Sequence, residues 1–454
     1  MSKRVALHRR HSRGLAVACA APFSTVLSFT LFAAGASAFV QTGGTAAQAT
    51  SCTGDNGGIT LPSGFCATVF ADNLGPVRHM VMAPNGALYA NTWSGSNTWS
   101  GYHNAPPPHG HFLIALKDDK GNGKADLVQR FGVDVGQGSA GGTGIGFYNG
   151  ALYVEQDDRI IRYTLPADSL VPTEPPQVVV SGLPLTGDHP MHPFIIDAQG
   201  KLYVDVGSAT DSCQINNGTP NSPGHQPCTE LKTRAGTWRY DANKTDQHFS
   251  PAERYVTGLR NGEGFAFDSS GRLFATQHGR DRLSEDQPAE ELVLEHEGAD
   301  FGWPECYYDR FQNKLVLAPE YGGDGGNAVG VCAEKTAPVA AFPAHWAPND
   351  LLIYSGTAFP TAYQGGAFIA FHGSSHREHG GYNVVFQSLK DGEAAGDFVV
   401  FADGFAGLIK EPGQAAFRPT GLAQGSDGAL YVSDDLHGRI WRVTYQGRKK
   451  AARQ

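Results

Sequence analysis

The sequence is poor in methionine, with four in 454 residues, and no window sustains a helical period of apolar residues. A core built from long helices is therefore not expected. Basic charge is also in deficit. A formal charge of −9 argues against nucleic acid or an anionic membrane as the main partner, because both reward a basic face. No C-x-x-C-H occurs, so covalently attached haem is not expected. What is plentiful is glycine (58) and proline (27), with 10% aromatic residues, a composition suited to many short strands joined by tight turns.

Residues 1–38 read as a cleaved export signal. MSKRVALHRRHSRG is basic, LAVACAAPFSTVLSFTLFAAG is apolar, and ASA at 36–38 has the small-x-small pattern of a signal peptidase site. A retained anchor is the rival reading, since the apolar stretch is close to spanning length. Loss of this segment removes five basic residues and no acid, taking the charge from −9 to −14. The mature protein is then periplasmic or secreted, with no stable membrane insertion. It would comprise a flexible lead (39–54), a folded domain (55–446) and a short basic tail (447–454). Seven cysteines become six: Cys52, Cys66, Cys213, Cys228, Cys306 and Cys332. An even count in an exported chain favours disulfides. Sequence order suggests neighbour pairing, although six cysteines permit many connectivities.

One phrase recurs: PNGALY at 84, YNGALY at 148, AQGKLY at 198, SSGRLF at 269, YQGGAF at 363 and SDGALY at 426. Each is a glycine turn opening a strand. Six copies predict an all-β chain folded as a six-bladed β-propeller, because one four-stranded sheet cannot bury both faces by itself. Two β-sandwiches are the alternative, which leaves the repeat unexplained. In a propeller the segments flanking each hairpin approach an axial mouth. This includes both ends of GLRNGEGFAFDSSGRLFATQHGRDR, residues 258–282, whose ends are expected at different positions along the blade. His189, His192, His345, His372 and Arg418 also fall near strand ends. Together they would make a cationic pocket suited to a small polyanion. ALKDDKGNGKADLV, 115–128, is read as a hairpin turn rather than a calcium loop, since Lys120 occupies a ligand position.

GLRNGEGFAFD, ELVLEHEGADFGWPECYY, AHWAPNDLLIYSGTAFP and FRPTGLAQGSDGALYVSDD resemble the soluble quinoprotein glucose/sorbosone dehydrogenase family, in particular its sorbosone-dehydrogenase-like and pyranose dehydrogenase branch. The likeness covers roughly residues 60–445. It implies a propeller that binds pyrroloquinoline quinone (PQQ) with Ca2+, oxidises a sugar hydroxyl or hydrated aldehyde, and passes electrons to an external acceptor such as a cytochrome or quinone. By the same resemblance His189 is the catalytic base; Asp188, its neighbour in the chain, is expected to orient the imidazole or keep it basic. Arg260 and Asn261 match the pair that contacts the cofactor, and Arg418 matches an arginine gripping a second carboxylate. His345, His372 and Arg78 are further pocket members. The cation falls to Gln277, Gly279, Arg280 and Asp281, with Glu291 a candidate for a separate structural calcium. This chain departs from the family at His278 and Arg280, and again in HGSSHREHGG, where His376, Arg377 and His379 border the expected substrate entrance. The alternatives are a calcium-dependent sugar lactonase and a propeller that binds carbohydrate or protein without chemistry.

Overall fold

A computed structural model describes residues 52–92, 111–134, 142–374 and 380–447. Among these residues the regular structure is strands and six short 3-10 helices, with no α-helix. All six repeated phrases join the innermost strand of a sheet to the second. The first hairpin pairs Val77–Met82 with Leu88–Thr92, and the next Ile145–Tyr148 with Ala151–Gln156. Phe194–Ile196 with Lys201–Val206 and Phe265–Phe267 with Leu273–Gln277 follow. Pro348–Ile353 with Ala367–Phe371 and Pro419–Gln424 with Leu430–Asp434 complete the series. The turn glycines, from Gly86 to Gly428, all have φ between 76° and 82°, a region other residues enter only with strain. The phrase recurs because the same backbone turn is needed in every blade.

Each hairpin extends into an antiparallel sheet of four strands, so the fold is a six-bladed β-propeller. Blade 2 carries a fifth short strand, Gln247–His248, paired parallel to Gln177–Ser181. Blade 6 takes its outermost strand from the beginning of the described chain: Phe65–Ala71 pairs antiparallel with Ile440–Tyr445. The core is divided among the seams. Six apolar clusters each draw side chains from two adjacent blades, including blades 6 and 1. Trp238 and Trp441 are fully buried in two of them, and truncating either to alanine would cost roughly 3–5 kcal/mol.

Buried polar side chains stitch the same seams near the axis. Asn91 Nδ2 donates to Gly144 O, Glu155 Oε1 accepts from His192 N, and Asp205 Oδ1 accepts from Gly262 N. Thr276 Oγ1 donates to Pro348 O, Asp350 Oδ2 accepts from Leu422 N, and Ser433 Oγ donates to Arg78 O. Every pair of neighbours is thereby bonded side chain to backbone, which satisfies strand-end groups that would otherwise be buried unpaired. An axial cavity of about 230 Å³ runs between the inner strands, lined from successive blades by His79, Ile145, Phe194, Glu263, Asp350 and Leu422.

The disulfides follow sequence order: Cys52–Cys66, Cys213–Cys228 and Cys306–Cys332. The 115–128 segment is a hairpin between His111–Lys117 and Leu127–Asp134. Its Asp126 carboxylate is taken by Lys120 Nζ at 2.7 Å and Lys120 N at 2.8 Å, so protein donors fill the place a cation would occupy. The expected signal segment lies outside the described residues. No helix among the described residues is long and apolar enough to cross a membrane.

Candidate active site

The inner strand of a blade starts, and its second strand ends, at the face opposite the repeated turn. In blade 4 this brings the two ends of residues 258–282 together rather than leaving them apart along the blade. Arg260 N donates to Gln277 Oε1 (2.8 Å), His278 N to Asn261 O (3.0 Å), and Arg260 Nη1 to Gly279 O (3.0 Å). The reason is strand pairing: Phe265 faces Ala275 in register, so residues just before one strand must lie beside residues just after the other.

Arg260 is buried and closely held. Its Nη2 donates to Asp211 Oδ1 at 2.8 Å and to Asp281 Oδ2 at 3.2 Å, and its Nε to Asp211 O at 3.0 Å. Burial alone would lower its pKa, but Asp281 and Asp211 raise it, so the guanidinium stays charged. Arg280 does not put its charge at the proposed cation position. Its side chain pairs with Glu320 and lies 3.8 Å from Asp211 Oδ2, leaving its carbonyl as the only oxygen it can offer. Gln277 is shared between Arg260 N and Glu291, whose Oε2 accepts from Gln277 Nε2 at 2.9 Å. Burial pushes Glu291 up to about 8. Among the described residues the one set of three converging His, Cys, Asp or Glu ligands is Cys213, Cys228 and Glu230. Its two cysteines are bonded to each other, and no such set converges at Glu291.

His189 stands across the mouth, 4% exposed, in the segment between Gln177–Ser181 and the inner strand of blade 3. Its Nδ1 lies 2.9 Å from Ser208 O and 3.0 Å from Ser208 Oγ. A carbonyl can only accept, so Nδ1 carries the hydrogen and Nε2 keeps its lone pair. This corrects the role expected of Asp188: its carboxylate accepts from Asn217 Nδ2 at 3.0 Å, and Ser208 sets the imidazole. Burial, then the charge of Arg260, holds His189 well below the usual histidine range. The imidazole is therefore neutral. His278 is lowered to about 3 by the same two causes, with its Nε2 3.0 Å from Pro348 O.

His189 and Asn261 meet at Gly207. A Cβ there would lie 2.5 Å from His189 Cβ and 3.0 Å from Asn261 Oδ1. That Oδ1 is buried beside His189 without a hydrogen-bond partner among the described residues. Asn261 Nδ2 donates to Glu263 Oε1 at 3.4 Å, which starts a chain across the axis. Glu263 Oε2 accepts from Arg78 Nη2 at 3.2 Å, Arg78 Nη1 donates to Asp435 Oδ2 at 2.8 Å, and Asp435 Oδ1 lies 2.8 Å from His372 Nε2. Arg78 thus belongs to a buried ion network between blades 1, 4 and 6. Burial would lower its pKa, but Glu263 and Asp435 raise it.

Arg418 is fixed by its own neighbours. Its N donates to Asp434 Oδ1 at 2.7 Å, its Nε to His372 O at 3.1 Å and its Nη2 to Gly373 O, with the guanidinium 5.7 Å from the Tyr382 ring centroid. Burial, then Arg418, lowers His372 to about 4. His345 Nε2 lies 2.7 Å from Ser284 O, tying it to the loop after His278–Asp281. The structure therefore joins Arg260, Asn261, Gln277 and Gly279 directly. It links Arg78 and His372 to Asn261 through Glu263 and Asp435, and Arg418 to His372. Four contributors had no sequence signal of their own: Ser208, Asp211, Glu263 and Asp435. His376, Arg377 and His379 lie outside the described residues.

Known proteins with this architecture include a calcium structure of a Trichoderma reesei carbohydrate-active enzyme of family AA12. It is 18% identical, covers 86% of this chain and 97% of its own, and has a TM-score of 0.68. The holo form of the pyranose dehydrogenase PQQ domain from Coprinopsis cinerea is 17% identical, covers 85% and 97%, and also has a TM-score of 0.68. An uncharacterized protein of Borreliella burgdorferi is 28% identical over 193 residues, 42% of this chain and 48% of its own. The chain thus spans about half the length of the curated relative it matches. Residues 140–446 match the TrAA12-like family, and with more than half of its length so matched the protein belongs to that family.

Proposed function

We propose that the protein is an exported oxidoreductase that oxidises a sugar hydroxyl or hydrated aldehyde with PQQ held at the axial mouth, and passes electrons to an external acceptor such as a cytochrome or quinone. The observation that carries this reading is the pairing of a neutral imidazole, hydrogen-bonded through Nδ1 to Ser208, with the buried Asn261 across Gly207 and with Arg260, whose carbonyl accepts from Ser208 N. The residues fit the cofactor. Arg260 retains a guanidinium charge and an Nη1 hydrogen beyond its bonds to Gly279, Asp211 and Asp281, and Asn261 Oδ1 is a buried acceptor without a hydrogen-bond partner among the described residues. The guanidinium suits a planar ligand bearing carboxylates and quinone oxygens, whereas Asn261 Oδ1, an acceptor, suits a hydrogen-bond donor on the ligand or the substrate. For Ca2+ the available donors are hard oxygens, the carbonyls of Gly279 and Arg280 and the carboxylate of Asp281.

When bound, PQQ supplies a quinone carbon that accepts hydride from the sugar. His189 Nε2 takes the hydroxyl proton, and Ser208 holds the ring so that this lone pair faces the substrate. Burial keeps the imidazole unprotonated before turnover. The relatives named above support the reading through what their structures contain, PQQ in one and calcium in another. A lactonase needs a metal-bound water rather than an arginine cradle, and the buried, charged Arg260 favours the quinone reading.

The test is to add PQQ with and without Ca2+ to the purified protein, follow the cofactor's absorbance, and assay dye reduction with aldoses and sorbosone. His189→Ala should retain PQQ and lose turnover, whereas Arg260→Ala should weaken PQQ by about 1.5 kcal/mol or more, the scale of a charge-assisted hydrogen bond. Equal losses of binding in the two variants would refute the assigned roles, and absence of quinone binding would refute the function.

A further inference from the structure

Both halves of the mouth are set by one short stretch of the blade 3 loop. Ser208 holds His189, and three residues later Asp211 holds Arg260. The stretch is itself pinned. Glu230 accepts from Ala209 N at 2.7 Å and from Thr210 Oγ1, Ser208 N donates to Arg260 O, and the Cys213–Cys228 bridge follows directly.

We infer that Asp211 is a positioning residue that locks the arginine clamp to the 279–281 backbone and holds both in register with the base; this rests on the quinone-dependent reading above. Its Oδ1 accepts from Arg260 Nη2 at 2.8 Å and from Asp281 N at 2.7 Å. Its carbonyl accepts from Arg260 Nε at 3.0 Å and from Trp303 Nε1 at 3.1 Å. Gripping Nε and Nη2 together fixes the plane of the guanidinium, because the two bonds leave no rotation about the Nε bond. The remaining Nη1 edge then points along the side that carries Gly279 O. Holding Asp281 N fixes the plane of the Arg280–Asp281 peptide and so where the Arg280 carbonyl faces, while Arg260 Nη1 holds the Gly279 carbonyl.

Asp281 also bonds Arg260, but its side chain is 35% exposed against 6% for Asp211, so it is the partner an incoming carboxylate can displace. Asp211 cannot leave without opening the wall. Its N is held by Asn217 Oδ1 at 2.9 Å, and the same Asn217 bonds Asp188 beside His189. A shift at Asp211 is therefore felt at Arg260, at the carbonyl ledge and at the base segment together.

Two measurements test this. PQQ is titrated by absorbance, with and without Ca2+, into wild type, Asp211→Asn and Glu320→Gln. Hydrogen–deuterium exchange of the segment 277–283 is followed in the cofactor-free wild type, Asp211→Asn and Asp211→Ala. Asp211→Asn keeps an oxygen for Asp281 N and Arg260 Nη2 but removes the carboxylate charge paired with the guanidinium, so PQQ should bind roughly tenfold to a hundredfold more weakly while exchange at 277–283 stays near wild type. Asp211→Ala should accelerate that exchange at least about tenfold, since the Asp281 N–H loses its acceptor. Glu320→Gln removes a buried carboxylate that pairs with Arg280 and accepts from Gln214 Nε2, not from Arg260, and should bind PQQ within about threefold of wild type. The inference is overturned if Asp211→Asn binds PQQ as wild type does, if Glu320→Gln loses as much, or if exchange in Asp211→Ala is unchanged. A wild type that binds no PQQ removes the functional reading, and the exchange arm still decides whether Asp211 holds the ledge.

Discussion

Glu295 should make the protein lose stability as pH rises through the neutral range. It ends the strand Glu290–Glu295 and is 4% exposed. Its Oε1 accepts from Thr237 Oγ1 across the seam at 2.9 Å, while Oε2 is buried with no hydrogen-bond partner among the described residues. Burial pushes its pKa up to about 8, with the Thr237 bond opposing. The folded pKa is therefore raised above the unfolded one, near ~4.3. Below about pH 4.3 both states are protonated and the group has no effect. Between there and about pH 8 the unfolded state ionises while the folded state stays protonated, so stability falls by up to about 1.4 kcal/mol per pH unit. From pH 6 to pH 8 this one residue removes up to roughly 2–3 kcal/mol. Guanidinium chloride unfolding of wild type and Glu295→Gln at both pH values reads the difference. The glutamine carries a constant offset from its own packing, but the pH dependence should shrink by that amount. An unchanged dependence would show that Glu295 ionises in the folded protein as freely as in the unfolded chain.

Three further outcomes are expected. Asp188→Ala should lower kcat by less than about threefold, since Ser208 supplies the bond to Nδ1; a hundredfold loss in the steady-state assay would return the orienting role to Asp188. Gly207→Ala forces a methyl against His189 Cβ and Asn261 Oδ1 and should cost about 1–3 kcal/mol by overpacking and at least about tenfold in turnover, measured by thermal melting and dye reduction; wild-type turnover would place the base elsewhere. Asp435→Asn leaves Arg78 with Glu263 as its carboxylate partner and weakens the hold on His372, so unfolding free energy should drop by roughly 1–3 kcal/mol. Burial would raise Asp435, but His372, Arg78 and Arg418 hold it below the usual carboxylate range. Its contribution is present at neutral pH and is lost only as pH falls through that lowered value. A change of under 1 kcal/mol at pH 7 would mean the network is not held together by this carboxylate.

The fold was legible because propeller turns are local chemistry. One glycine conformation, repeated six times, betrays the blades. The uneven spacing of the phrases has a plain cause: the excursions at 207–235 and 304–335 carry two of the three disulfides and interrupt blades without changing their strand order. That His189, Arg260 and Asn261 lie close to one another was legible through the motifs around them. Their supports were not, because seam geometry chooses them. Arg78 and Asp435 are 357 residues apart, and Asp211 and Arg260 are 49 apart. Asp188 misled for the opposite reason: adjacency along the chain suggested a partnership that the backbone assigns to Ser208. At Arg280 the sequence showed a charge but could not show Glu320 drawing it away.

The ring is closed by a clasp whose geometry sets how it yields to force. Phe65 sits opposite Tyr445 and Cys66 opposite Thr444 in the last sheet, so the two ends of the folded chain leave from neighbouring positions at one corner. Tension applied through both ends would load the first residue pair alone, then the next, parting the hydrogen bonds in succession like a zip. A strand pulled lengthwise against its neighbour would instead load the whole row at once. The Cys52–Cys66 bridge moves the point of loading only to the second pair. A protein whose seams resist heat and denaturant collectively would thus open under low force from its ends, as a force–extension measurement on a chain tethered beyond both strands would record.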